Sequence, residues 1–158
     1  MTRDNRGFTL IEIVVVMVLI SIIATTVFTR SITTDQINFV GQVDKIRQHI
    51  RYAQSLSMKR EGIWGIECVE GPDQYWLFKD NNANSIALPG NETDKISLTD
   101  LGVGMDAFTV YFDKLGVPWK SYPFDKVTPG NTLNITISSA SESRTLIVTP
   151  ETGLIVTQ

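Results

Sequence analysis

The sequence predicts an α+β protein in which a long N-terminal helix, membrane-spanning in its first half, packs on a C-terminal antiparallel β-sheet domain. Three observations point there. Residues 8–29 form an almost unbroken apolar run, and residues 30–61 contain no proline and repeat apolar side chains at helical spacing. From Gly62 onward the apolar period falls to two, with hairpin turns between the alternating segments.

The first element is the apolar run Phe8–Thr29, whose single charge is Glu12. As a helix rising about 1.5 Å per residue it reaches roughly 33 Å, enough to cross the hydrocarbon core of a bilayer. An ionised side chain in a membrane segment costs about 2.5–3.5 kcal/mol at the helix centre on insertion scales, so Glu12 calls for a partner. The competing reading is a cleaved secretory signal. Such a signal has an apolar core of about 7–15 residues, shorter than this one. Ala24-Thr25-Thr26 is also a poor small-x-small cleavage site, and an acidic residue so early in the core is foreign to that reading. Arg3 and Arg6 precede the run and Arg30 is the next basic residue, which biases the N-terminus modestly toward the cytoplasm.

The second element continues the helix through residues 30–61. Phe39, Val43, Ile46, Ile50 and Ala53 recur at steps of four and three, an amphipathic stripe suited to lie on a sheet. Gln42, Lys45, Arg47, Arg51 and Gln54 occupy the opposite face, and the spaced charges of Arg47, Arg51, Lys59 and Arg60 read as solvated rather than as a binding face. Gly41 and the β-branched cluster between Thr25 and Thr34 lower helix propensity locally and allow some bending. Gly62 is the expected stop.

The third element, residues 62–158, is the β-rich domain. "WGIECVE" and "QYWLFK" flank the turn Gly71-Pro72-Asp73. Further strands are expected over Phe108–Asp113, Thr132–Ser138, Arg144–Pro150 and Leu154–Thr157, with turns at Gly116, Pro129-Gly130 and Glu151-Thr152-Gly153. Residues 83–107 read as a loop-rich insertion.

Composition excludes several classes of function. The formal net charge of −3 supplies no general footprint for a nucleic-acid backbone. One cysteine and one histidine, Cys68 and His49, allow neither an intrachain disulfide nor a Cys-His metal cluster. Cys68 lies in an alternating segment and reads as a small strand residue rather than a nucleophile. There is no nucleophile-base-acid pattern and no Gly-rich phosphate loop, so no catalytic residue, no enzyme and no cofactor is expected. Asp80, Asn82 and Asn84 share the alternate spacing of a calcium loop, but Ser85 stands where glycine is needed and Asn91 where a bidentate glutamate is needed. That segment reads as a solvated hairpin loop, and no metal ligand is assigned. The glycosylation sequons at Asn91 and Asn134 receive no role.

Gly7-Phe8-Thr9-Leu10-Ile11-Glu12 followed by an uncharged helix closely resembles the processing and assembly motif of type IV pilins and type II secretion pseudopilins. The resemblance implies that Met1–Gly7 is a leader, that a prepilin peptidase cuts between Gly7 and Phe8, and that the new amine of Phe8 is methylated. It implies that Glu12 meets the N-terminal amine of a neighbouring subunit during assembly. Glycine leaves the scissile backbone unshielded, and a cut on the polar side of the apolar run retains the anchor. The segments "IRQHIRYAQSLSMKREGIWGI", "VYFDKLGVP" and "LIVTPETGLI" further resemble the GspH/FimT branch of minor pilins and pseudopilins. The implied protein is a structural subunit of the bacterial inner membrane with its β domain in the periplasm. Its partners would be other major and minor pilins or pseudopilins and the prepilin peptidase, and it would help initiate or cap a secretion pseudopilus or type IV pilus. The alternative is a DNA- or ligand-binding minor pilin at a pilus tip. Some FimT-like proteins hold DNA with basic residues after the closing glycine, whereas here Gly153 is followed by Leu154-Ile155-Val156-Thr157-Gln158, which argues against DNA as a partner.

Overall fold

The structure is a computed structural model that describes residues 9–71 and 73–158, and within the helix it describes no side chains from 25 to 36. The chain divides into two compact units, Met1–Asn38 and Phe39–Gln158. One α-helix, α1 (Leu10–Lys59), contributes residues to both. It ends two residues before the expected boundary at residue 61, with Arg60 N donating to Leu56 O at 2.7 Å. Gly62 stops it as expected, at φ +105°, a left-handed backbone that a side chain would strain. Asp80 Oδ1 then accepts from Ile63 N at 2.8 Å and fixes the exit of the chain into the sheet.

In the second unit the helix stripe packs, as expected, on an antiparallel β domain, which is divided into two sheets. The larger sheet holds β1 (Trp64–Val69), β2 (Gln74–Lys79), β3 (Asn81–Ile86), β4 (Lys95–Ser97), β6 (Phe108–Phe112), β7 (Pro118–Ser121) and β8 (Asp125–Lys126). Its order is β3-β2-β1-β6-β7-β8, with β4 also paired to β2. The smaller sheet runs β11-β10-β9-β5, from β5 (Gly104–Met105), β9 (Leu133–Ser138), β10 (Ser143–Val148) and β11 (Ile155–Thr157). The expected hairpin of the first two strands is present, with β1 paired to β2 and Trp64 opposite Lys79, and β9 pairs β10 with Leu146 opposite Ile135.

Alternation decides which side chains enter the core. Ile66 and Cys68 of β1, Tyr75 and Leu77 of β2, and Val110 and Phe112 of β6 share a buried cluster with Ile135, Leu146 and Ile155 of the smaller sheet. The helix supplies Phe39, Val43, Ile46, Ile50 and Ala53, the predicted stripe, and extends it by Leu56. Complete burial of a residue such as Ile50 is worth about 1.5–3 kcal/mol, so six such contacts fasten this part of the helix to the sheets.

Two expectations need correction. Residues 83–107 are not an insertion. They contain the end of β3 together with β4 and β5, and they bury Leu88, Ile96, Leu98, Val103 and Met105 in the common core. Strands of two or three residues are too short to show a period of two, which is why the segment reads as loop. The stretch after Lys79 is likewise strand β3, not a solvated hairpin loop. It forms the edge of the larger sheet beside β2, where Trp76 Nε1 donates to Asn82 O at 2.8 Å and Asn82 Nδ2 to Glu67 Oε1 at 3.2 Å.

Candidate functional site

The segment singled out by the sequence begins at the N-terminus of α1. Gly7 and Phe8 lie outside the described residues; Thr9 is the first one described and precedes the helix as its N-cap. Thr9 Oγ1 accepts from Glu12 N at 3.3 Å, and Glu12 Oε2 accepts from Thr9 N at 3.5 Å. This reciprocal arrangement is a capping box, which the spacing Thr-x-x-Glu specifies because positions N-cap and N3 face one another across the first turn. Glu12 is therefore the acidic residue of the first turn, where the partial positive charge of the unpaired N–H groups favours a carboxylate.

Beyond Glu12 every large apolar side chain from Leu10 to Ile23 is exposed, Leu10 by 82%. A helix that is apolar on all sides has no stable solvated face and is built to be covered, by lipid or by other helices. Ser21 is the polar exception before residue 24, and its Oγ donates to Met17 O at 2.8 Å, which satisfies the hydroxyl within the helix. Among the described residues no helix is long and apolar enough to cross a membrane. Of the expected span 8–29, Phe8 lies outside the described residues, and the side chains from residue 25 on are not described.

Among the described residues no group of three or more His, Cys, Asp or Glu could hold a metal ion. The titratable interior groups of the β domain serve packing. Cys68 is buried, and burial, with the charges of Asp73, Asp106 and Glu67, pushes its thiol up to about 12, far from thiolate reactivity at neutral pH. His49 lies on the helix face against β2, where its Nδ1 is 2.9 Å from Tyr75 Oη. Burial, with a smaller contribution from Lys45, lowers its pKa to about 4, so the ring is neutral near pH 7. Asp80, Asn82 and Asn84 do not converge on a cation: Asp80 holds Ile63 N and Asn82 holds Glu67.

Sequence reasoning missed Gln54. It belongs to the face opposite the apolar stripe, yet Gln54 Nε2 donates to Gly116 O at 2.9 Å and to Thr152 O at 2.8 Å. One helix side chain thereby secures the β6–β7 turn and the β10–β11 turn, which belong to different sheets. Gly153 makes that approach possible. Its φ is +62°, and a Cβ there would lie 2.5 Å from Gln54 Nε2 and 2.8 Å from Gly116 O. The available signal was the pair of glycine turns themselves, but nothing in the sequence placed them beside one helix residue. Lys126 Nζ meets Glu151 Oε2 at 2.9 Å on the outer side of the same turn.

Residues 2–28 match the family described as the prokaryotic N-terminal methylation motif. The chain is also similar to the crystal structure of the type IV minor pilin FimU of Pseudomonas aeruginosa, at 13% identity and a TM-score of 0.47, over 73% of this chain and 88% of that one. No curated protein matches it significantly.

Proposed function

We propose that this chain, whose methylation motif, long N-terminal helix and antiparallel β domain give it the type IV pilin organisation, is a minor pilin or pseudopilin that helps initiate or cap a filament. The observation that carries the reading is a single carboxylate, Glu12, in the first turn of a helix that is otherwise apolar and exposed as far as Ile23. Cleavage between Gly7 and Phe8 leaves the apolar helix attached to the domain and creates an amine four residues before Glu12. Methylation of that amine preserves its positive charge. When helices of neighbouring subunits pack in an apolar surround, the Glu12 carboxylate pairs with the amine of a neighbour. Such a pair is strongly destabilised when one partner is removed, so it rewards one register of helix on helix and penalises others.

In this reading the segment 8–29 anchors the subunit in the inner membrane until a filament takes it up. The domain 62–158 lies in the periplasm and contacts other pilins or pseudopilins. The pseudopilus and the type IV pilus use the same N-terminal chemistry, so the reading covers both. Against the DNA-binding alternative, Leu154 to Gln158 carry no cation, and Leu154 and Val156 are exposed apolar side chains there.

Mass spectrometry of the chain from cells with and without prepilin peptidase tests the reading. The expected mature form lacks Met1–Gly7 and carries one methyl group on Phe8. Glu12→Val should still be cut after Gly7 but fail to enter filaments. A chain that keeps its leader in peptidase-positive cells would refute the proposal, and normal incorporation of the Glu12 variant would remove the pairing mechanism.

A further inference from the structure

The larger sheet has a second face, turned away from the common core, and aromatic rings stand on it in register. Alternation sends Ile66, Leu77 and Val110 inward, so Gly65, Phe78 and Tyr111 at the adjacent positions face outward. Phe78 lies opposite Gly65, Gly65 opposite Tyr111, and Tyr111 opposite Trp119, a single row across β2, β1, β6 and β7. A Cβ on Gly65 would lie 2.4 Å from Phe78 Cζ, so the missing side chain lets the Phe78 ring reach across β1. There it meets Tyr111 edge to face, with ring centroids 4.9 Å apart. Trp119 meets Tyr122 of the β7–β8 turn in the same manner, at 5.3 Å and 78°. None of these four rings belongs to the core that the helix closes. Phe78 is fully covered, whereas Tyr111 and Trp119 are half-buried and Tyr122 is 40% exposed.

We propose that the row Tyr111–Trp119–Tyr122 is a binding strip for an uncharged, β-linked glycan chain. The rings suit sugar for three reasons. Neighbouring strands lie about 4.8 Å apart, so rings on successive strands recur at a step close to the length of one hexose in an extended chain. The near-perpendicular Trp119 and Tyr122 rings form a floor and a wall, a corner that takes the flat face of one pyranose and its edge together. Trp119 Nε1 donates to Asp113 Oδ2 at 3.2 Å, which fixes the indole before a ligand arrives and lowers the ordering cost of binding. Polar groups for hydroxyls stand on the flanks. Burial, and then the charge of Glu67, raises the Tyr111 phenol above its ordinary value, so it stays a donor, and the Glu67 carboxylate is an acceptor nearby. Those carboxylates also decide the class of ligand. Glu67 and Asp113 beside the strip repel a polyanion, and Lys126, the cation opposite Trp119, is already paired with Glu151. A protein interface depletes charge at its centre, whereas this strip is one ring wide with acidic flanks. The inference stands apart from the assembly reading, since it uses none of the helix residues.

The test is calorimetric titration of the full-length chain with chitohexaose, in micelles of a detergent without a sugar headgroup. The wild-type chain should bind the hexaose and leave heparin, a polyanion, unbound. Trp119→Ala and Tyr122→Ala should each weaken binding about three- to tenfold, and Trp119→Phe, which keeps a ring, should lose less. Leu154→Ala removes an exposed apolar side chain from the smaller sheet and should bind as the wild type does. Circular dichroism checks that each variant is folded. Tyr122, at the exposed end of the row, decides the matter alone if the Trp119→Ala chain does not fold. The proposal is overturned by a wild-type chain that gives no binding at millimolar hexaose, by undiminished binding in Tyr122→Ala, or by an equal loss in Leu154→Ala. Preference for heparin would overturn it too, and would assign the face to an anionic polymer instead.

Discussion

Gln54 ties the helix to turns from both sheets, and replacing it with methionine tests how much that tie contributes. Methionine matches its length and helix propensity but removes both donors. The two bonds, at 2.9 Å to Gly116 O and 2.8 Å to Thr152 O, have good lengths. A typical intramolecular hydrogen bond contributes about 0.5–1.5 kcal/mol net, which brackets the pair at about 1–3 kcal/mol. Thr152 O lies at an exposed position and can bind water when Gln54 is gone, whereas the Gly116 contact is part-buried. The loss should therefore fall in the lower half of that range, about 1–2 kcal/mol. For a domain of this size it corresponds to a fall in melting temperature of roughly 3–10 °C. Thermal unfolding followed by fluorescence of the buried Trp64 and Trp76 would measure it. The control is Gln48→Met, an exposed glutamine of the same helix, expected to change stability by no more than about 0.5 kcal/mol. If both variants melt together, the view of Gln54 as a fastening between the turns is wrong.

Three further outcomes follow from the same interior. Gly153→Ala should destabilise the domain by more than Gln54→Met, because it strains a φ of +62° and also drives a Cβ into Gln54 and Gly116 O; chemical denaturation of the two variants side by side gives the order, and a milder effect of the alanine would contradict it. His49 has a lower pKa folded, about 4, than unfolded, near 6.5, so between those values the unfolded chain binds more protons and stability falls as pH drops through the window. The loss attributable to His49 should approach roughly 3 kcal/mol by pH 4, and His49→Gln should flatten that part of the profile in urea titrations at pH 7.5 and 4.5. An unchanged slope in the variant would assign the acid sensitivity elsewhere. Cys68 should resist a maleimide reagent at pH 8 in the folded protein and react once urea unfolds it; labelling at the rate of a free thiol under native conditions would show that the β1 strand opens.

The N-terminal helix was legible because its pattern is local. Thr9 and Glu12 are three residues apart, and a helix of fixed pitch brings them together whatever the rest of the chain does. The stripe from Phe39 to Ala53 was legible for the same reason, since burial follows from spacing once the segment is helical. The long strands announced themselves by alternation, and the short turn between β1 and β2 marked them as a hairpin.

Other features depended on where distant segments meet, and periodicity carries no information about that. The core residues Leu88, Ile96 and Leu98 sit in strands or turns too short to repeat, and only their pairing and packing against longer strands bury them. The partition of the β domain into two sheets was equally invisible, because alternation identifies a strand without naming its neighbour. Gln54 is the clearest case. As a residue type on a polar helix face it suggests solvent, yet its contacts are with residues 62 and 98 positions away. His49, too, became a buried neutral ring only when the helix closed on Tyr75. Short-range geometry thus specified the helix and its apolar face from residue order alone, whereas the fastening of that helix to two sheets arose from closure of the chain, which sets every partner beyond a single turn.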